Sequence, residues 1–214
     1  GKGVWSAVGA SAEEENKKFT EDQDRSSITA GFMWQTVTRE STKYGLEAVV
    51  TDFSPVESDV EIMHVKLTNK SSGVQMITPV AAIPVYGRSA DNIRDHRHVT
   101  AMLQRISTFR NGVVVKPTLS FDERGHKKND LSYFVCGVSG KGEAPKDFYT
   151  LVDTFIGEGG TLTRPYAVVK NVPGVPAGST AEGKEAMGGI RFETCTLLPN
   201  ESAEYTIVMG ITAD

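Results

Sequence analysis

No stretch of this 214-residue sequence approaches the roughly 20 consecutive apolar residues that a membrane-spanning helix requires. Positive charge is not in excess either. Twenty-three Lys and Arg stand against 27 Asp and Glu, for a formal net charge of -4. Nucleic acid and anionic membrane attract strongly basic surfaces, so neither is expected as a partner. Cysteine is scarce: Cys136 and Cys195 both fall in apparent strands of a chain long enough to bury a core without staples. Two reduced, part-buried thiols are therefore expected, and with no charged-then-apolar leader after Gly1-Lys2-Gly3 they point to the cytoplasm. Aromatic residues make up only 8% of the chain, and Trp5, Trp34, Tyr44, Tyr86, Tyr149 and Tyr166 are scattered. Trp34, inside Gly31-Phe32-Met33-Trp34-Gln35, is expected to be packed away. Missing altogether are a serine nucleophile elbow, a Cys-x-x-Cys pair and a His-Glu-x-x-His motif.

Period-two alternation is what the sequence has in quantity, and it marks strands. Strand-like runs extend from Gly31 to Thr38, Tyr44 to Phe53, Val60 to Thr68, Val74 to Val85, Met102 to Phe109, Asn111 to Leu119 and Leu131 to Val138. Near the end, Ile190, Phe192 and Thr194 alternate, Leu197 to Ser202 reads as a turn, and Tyr205, Ile207, Met209 and Ile211 alternate again, which predicts a closing hairpin. Helical signal is confined to Ser11–Lys18, where Ser11 stands three residues before Glu14 in the manner of a capping box. The stretch from Asn171 to Gly189, rich in Gly and Pro, is expected to be a peripheral loop. With no composition break, residues 1–214 are read as one all-β domain, a large antiparallel β-sandwich.

Three polar or glycine-rich segments invite chemistry. Arg88, Asp91, Arg94, Asp95, His96, Arg97 and His98 crowd into eleven residues after a strand ending at Tyr86. On an extended chain His96 and His98 would offer two imidazoles, but a metal needs a third ligand and none has the right spacing. No metal or other cofactor is expected. Ion pairing within the segment is the plainer reading, and an interface or a sugar-gripping surface is the other. Asp122 and Glu123 are sequence neighbours and cannot converge as a glycosidase acid/base pair, so Phe121–Asp130 reads as a solvated loop with Gly125 supplying positive φ. Gly157-Glu158-Gly159-Gly160 lacks the Gly-Lys-Ser/Thr ending of a phosphate loop and reads as a place where backbones pass closely.

Thr78 to Thr100, centred on Tyr86-Gly87-Arg88-Ser89-Ala90-Asp91-Asn92-Ile93-Arg94-Asp95-His96-Arg97-His98, and Val115 to His126 resemble the N-terminal β-sandwich of the cellobiose-phosphorylase-like enzymes, glycoside hydrolase family 94. Val65 to Ser72, Asp153 to Gly160 with Arg164-Pro165, and Leu197 to Ser202 fit the same domain, nearest the branch acting on β-1,2-linked glucans. The resemblance implies a supersandwich, galactose-mutarotase-like fold. It also implies a parent enzyme that phosphorolyses β-glucosidic bonds with inversion, with its catalytic aspartate on a separate (α/α)6 barrel. No catalytic residue carries over to this sequence. The implied role is a non-catalytic accessory domain whose partner is the barrel, with a β-glucan oligosaccharide as a further ligand, and whose loop from Arg88 to His98 faces the barrel at the substrate entrance. The competing expectations are a free-standing carbohydrate-binding module and a mutarotase-like enzyme using a pair such as His64 and Glu193.

Overall fold

Alternation gives each long strand one face to bury and one to leave outside, and the chain resolves this by stacking a large sheet on a small one. The computed structural model describes residues 3–87, 98–122 and 125–213. β1 (Arg25–Gly31), β2 (Trp34–Ser41), β3 (Leu46–Phe53) and β4 (Val60–Asn69) follow one another as antiparallel neighbours. Next to β4 lies the last strand, β16 (Ser202–Ala213), and then β11 (Leu131–Ser139), β8 (Gly112–Pro117), β7 (Gln104–Phe109) and β13 (Thr180–Glu182). The small sheet orders β12 (Asp147–Leu151), β14 (Ala186–Arg191) and β6 (Val80–Val85). Two ribbons complete the strands, β5 (Gln75–Ile77) with β15 (Cys195–Leu197) and β9 (Leu119–Asp122) with β10 (Gly125–Lys128). The helices are short: α1 (Ala12–Lys17), α2 (98–103), α3 (Val152–Ile156) and α4 (Tyr166–Val169). None of the described helices is long and apolar enough to cross a membrane.

The main core lies between the sheets. Val50, Ile106, Val113, Val115, Val135 and Ile207 of the large sheet meet Phe148 and Ile190 of the small one, all 2% exposed or less. On the other face of the small sheet, Tyr149 and Met187 pack with Val152 and Phe155 of α3 and Ala167 of α4, making a third layer. β14 serves both: Ala186 and Ile190 belong to the main core, Met187 to the helical side.

Ser11 caps α1 as its spacing predicts, its hydroxyl accepting from the Glu14 backbone N–H at 3.3 Å. Both cysteines are free thiols, and burial pushes the Cys136 thiol up. Three expectations need correction. The closing hairpin does not exist: Ile190 belongs to β14 in the small sheet, Cys195–Leu197 pairs with β5, and β16 lies between β4 and β11. Alternation reports which face of a strand is buried, not which strand it meets. Val74–Val85 is broken at Thr78-Pro79 into β5 and β6, which join different sheets. Finally, the stretch from Asn171 to Gly189 is not all periphery, because its end is the start of β14, wholly buried from Ala186 onward. Here glycine does enter a core, because leaving out a side chain lets two sheets approach.

Candidate functional site

Arg88, Asp91, Arg94, Asp95, His96 and Arg97, to which the interface was assigned, lie outside the described residues. His98 is exposed and helical, at the start of the described part of α2, and not in the extended conformation read for it from the sequence. The flanks of the segment are well placed in the fold. Gly87 has φ 64°, the Tyr86 carbonyl accepts from Gln104 Nε2 at 3.0 Å, and α2 leads straight into β7. A small, mainly apolar cavity sits between these flanks and α3, lined by Val85, Tyr86, Ala101, Val152 and Ala186, with Gln104 Oε1 buried and without a hydrogen-bond partner beside it. Elsewhere, Glu123 and Arg124 also fall outside the described residues; Gly125 has the expected positive φ, 111°, but it opens a strand, so that much of Phe121–Asp130, read as a loop, is the β9–β10 ribbon. At Gly160 the backbone does pass closely: a Cβ there would stand 1.9 Å from the Ile156 carbonyl oxygen.

Strand register shows which end of the large sheet these flanks occupy. Ile106, Val115, Tyr133 and Ile211 lie in one row across β7, β8, β11 and β16. Alternate antiparallel steps make β7 begin where β16 finishes, three strands or ~14 Å apart. The β1–β2 turn and the β3–β4 connection emerge at that same end, since Trp34 is level with Phe53, Phe53 with Ile62 and Val60 with Gly210. Apolar side chains stand in solvent there: Phe32 is 89% exposed and Val56 85%, with Tyr86, Met102 and Ile211 also exposed.

The outer face of the large sheet, turned away from the small sheet, carries a second pattern. One register row runs Gly31, Trp34, Phe53, Ile62, Val208, Cys136, Gly112, Phe109, with one residue from each of eight strands. The next row along is Thr29, Thr36, Thr51, His64, Thr206 and Val138. Thr36 and Thr51 share a hydroxyl–hydroxyl bond of 2.9 Å. Trp34 is 41% exposed and Phe53 37%, which corrects the expectation that Trp34 is packed. It lies on a face that no second layer among the described residues covers. His64 and Glu193 are not brought together: Glu193 pairs with Lys146 at 2.9 Å, while His64 Nε2 stands 3.7 Å from Glu204 Oε2 on the open face. Sequence reasoning missed both rows. Their members alternate visibly, but which strands lie side by side was not legible.

The inner face of the same strands holds an electrostatic cost. Asp52 Oδ1 is buried without a hydrogen-bond partner, and only a long 3.5 Å contact from Gln35 reaches Oδ2. Burial pushes its carboxyl up. A raised folded pKa means the folded state holds the extra proton, so stability falls as pH rises through the window above the ordinary aspartate range. Asp52→Asn is therefore expected to be more stable than the parent at neutral pH, by under about 1 kcal/mol. The advantage should disappear when urea titrations are repeated below the ordinary carboxylate range, and a less stable variant at pH 7 would refute the assignment. No three His, Cys, Asp or Glu side chains among the described residues gather closely enough to hold a metal ion.

A family model described as "Glycosyl hydrolase 94, supersandwich domain" matches residues 2–214. No curated protein matches the chain. Among solved structures, a bacterial glucoamylase complexed with acarbose is similar over 91% of this chain and 24% of that one, with 12% identity and a TM-score of 0.53. The chain thus spans about a quarter of that structure's length. At such identity the likeness is one of fold. A putative aldose 1-epimerase from Escherichia coli K12 is matched over 90% of this chain and 69% of that one, with 8% identity and a TM-score of 0.45.

Proposed function

The chain belongs to the glycosyl hydrolase 94 supersandwich-domain family, and on that premise we propose that it is the non-catalytic accessory domain of a cytoplasmic, inverting β-glucan phosphorylase. In this reading it packs on the enzyme's catalytic (α/α)6 barrel and helps shape the substrate entrance, and the parent enzyme falls nearest the branch acting on β-1,2-linked glucans. The observation that carries the reading is the family match over residues 2–214, and exposed apolar side chains spread along one end of the large sheet offer a surface for the contact. Phe32, Val56 and Met102 stand in solvent at the end where β16 finishes and where the segment from Arg88 to His98 joins the fold. The composition of Arg88 to His98 suits an interdomain interface, which is more polar than an obligate core.

Two measurements test this reading. The isolated chain, incubated with inorganic phosphate and β-1,2- or β-1,4-linked gluco-oligosaccharides, should release no glucose 1-phosphate; turnover by the chain alone would overturn the proposal. Added to a separately produced barrel from the same family, it should form a complex on gel filtration. The double variant Phe32→Asp/Val56→Asp should weaken that complex by about tenfold or more, since two apolar anchors would then be replaced by charges in a desolvated contact. An unchanged complex would place the contact elsewhere.

A further inference from the structure

We infer that the open face of β2, β3 and β4 is a binding platform for a neutral sugar chain, separate from the sheet end assigned above to the barrel. The edge of the Trp34 indole occupies the place a side chain at position 31 would take: a Cβ built on Gly31 would stand 2.3 Å from Trp34 Nε1, 2.6 Å from Cε2 and 2.9 Å from Cζ2. The missing side chain of Gly31 is what lets the indole approach the sheet so closely while it stays 41% exposed. Phe53 is its direct cross-strand neighbour, ~4.8 Å away across the sheet, and Ile62 continues the row. Two residues along the strands, ~6.7 Å away, stand the hydroxyls of Thr36 and Thr51 and the imidazole of His64.

An apolar row beside a hydroxyl row matches the two sides of a pyranose, whose C–H face stacks on aromatic rings while its hydroxyls exchange hydrogen bonds. The two rows contain no carboxylate, lysine or arginine, and one row beyond His64 the opposite charges of Lys66 and Glu204 face each other at 3.7 Å, so the face offers no excess charge to a phosphorylated, nucleic-acid or acidic ligand. A purely apolar helix would shut the Thr36–Thr51 pair and His64 away from water with no new partner. A neutral oligosaccharide satisfies both rows.

The chain has two tryptophans, Trp5 and Trp34, and the Trp5 indole is engaged with Asp24 Oδ2 at 2.7 Å. A nitrogen-15 labelled chain therefore shows two indole N–H signals, and titration reads the platform directly. Probes are β-1,2- and β-1,4-linked gluco-oligosaccharides, chosen on the family reading, with xylo- and manno-oligosaccharides added so that the platform is tested even if that reading fails. The expected result is that only the Trp34 signal moves, saturating at millimolar sugar, and that Phe53→Ala weakens the effect by about tenfold. Thr36→Val/Thr51→Val, which keeps β-branched side chains in the strands, should weaken it severalfold with the spectrum otherwise unchanged. The inference is overturned if neither indole moves with any probe up to about 10 mM, beyond the range of a single stacking site. It is equally overturned if the Trp34 signal moves with protein concentration alone, which would make a second copy of the chain the occupant.

Discussion

Asp147→Asn is expected to destabilise the fold by about 3–5 kcal/mol, the range for removing one partner of a buried ion pair. Asp147 on β12 and Arg191 on β14 are direct cross-strand partners. Their side chains are 10% and 6% exposed, on the helical side of the small sheet. Arg191 Nε donates to Asp147 Oδ1 at 2.9 Å, and Nη2 donates to Oδ2, a bidentate fork. A third donor, Nη1, reaches Asn171 Oδ1 at 3.1 Å just past α4, so the guanidinium also ties the helical layer to the sheet. An amide at position 147 keeps the shape but leaves a guanidinium buried without its counter-charge. Urea denaturation should show a lower midpoint with an unchanged slope, and the melting temperature should fall by roughly 10 °C for a chain of this size. Replacing both partners with apolar residues should cost less than the single change, because no lone charge is then left behind. A single-variant loss below about 1 kcal/mol would mean that water reaches Arg191, contrary to its burial.

Gly188→Ala is expected to cost about 1–3 kcal/mol or more, a large effect for a single added methyl. Gly188 is buried in the middle strand of the small sheet, directly above β11 of the large one. Its Cβ would stand 2.4 Å from Val135 Cγ2, 2.7 Å from Val135 Cβ and 3.3 Å from the Ile83 carbonyl oxygen. Val135 is fully buried and β-branched, so it has no alternative rotamer to retreat into. The two sheets must move apart or the strand must bend. Val135→Ala in the same chain should restore most of the loss, because volume is moved across the interface and not added to it. A double-mutant cycle with no coupling would place the strain elsewhere.

Much of the architecture was legible in the residues. Period-two runs located β3, β4, β7, β8 and β11 to within a few residues, and Ser11 with Glu14 located α1. The phrases around Tyr86 to Thr100 carried a resemblance that the family match over residues 2–214 bears out at the level of the domain. Pairing was less legible. The closing hairpin was inferred from two alternating runs and a turn between them, yet those runs serve different sheets. Gly188 and Gly189 read as loop residues because composition registers an absent side chain only as lost core, whereas the fold uses it as clearance between sheets.

The sequence by itself determined the class of structure: strands dominate, and it carries no recognisable nucleophile motif and no ligand set of metal spacing. Local chemistry suffices for these, since alternation, capping and motif spacing act within a few residues of one another. Tertiary structure alone decided that Trp34, Phe53, Thr36 and Thr51 stand together on an uncovered face, and that Phe32 and Val56 share one end of the sheet with the finish of β16. These are relations between strands distant in sequence. They are set by which pairings bury the most apolar surface while satisfying every ladder, a choice the whole chain makes at once.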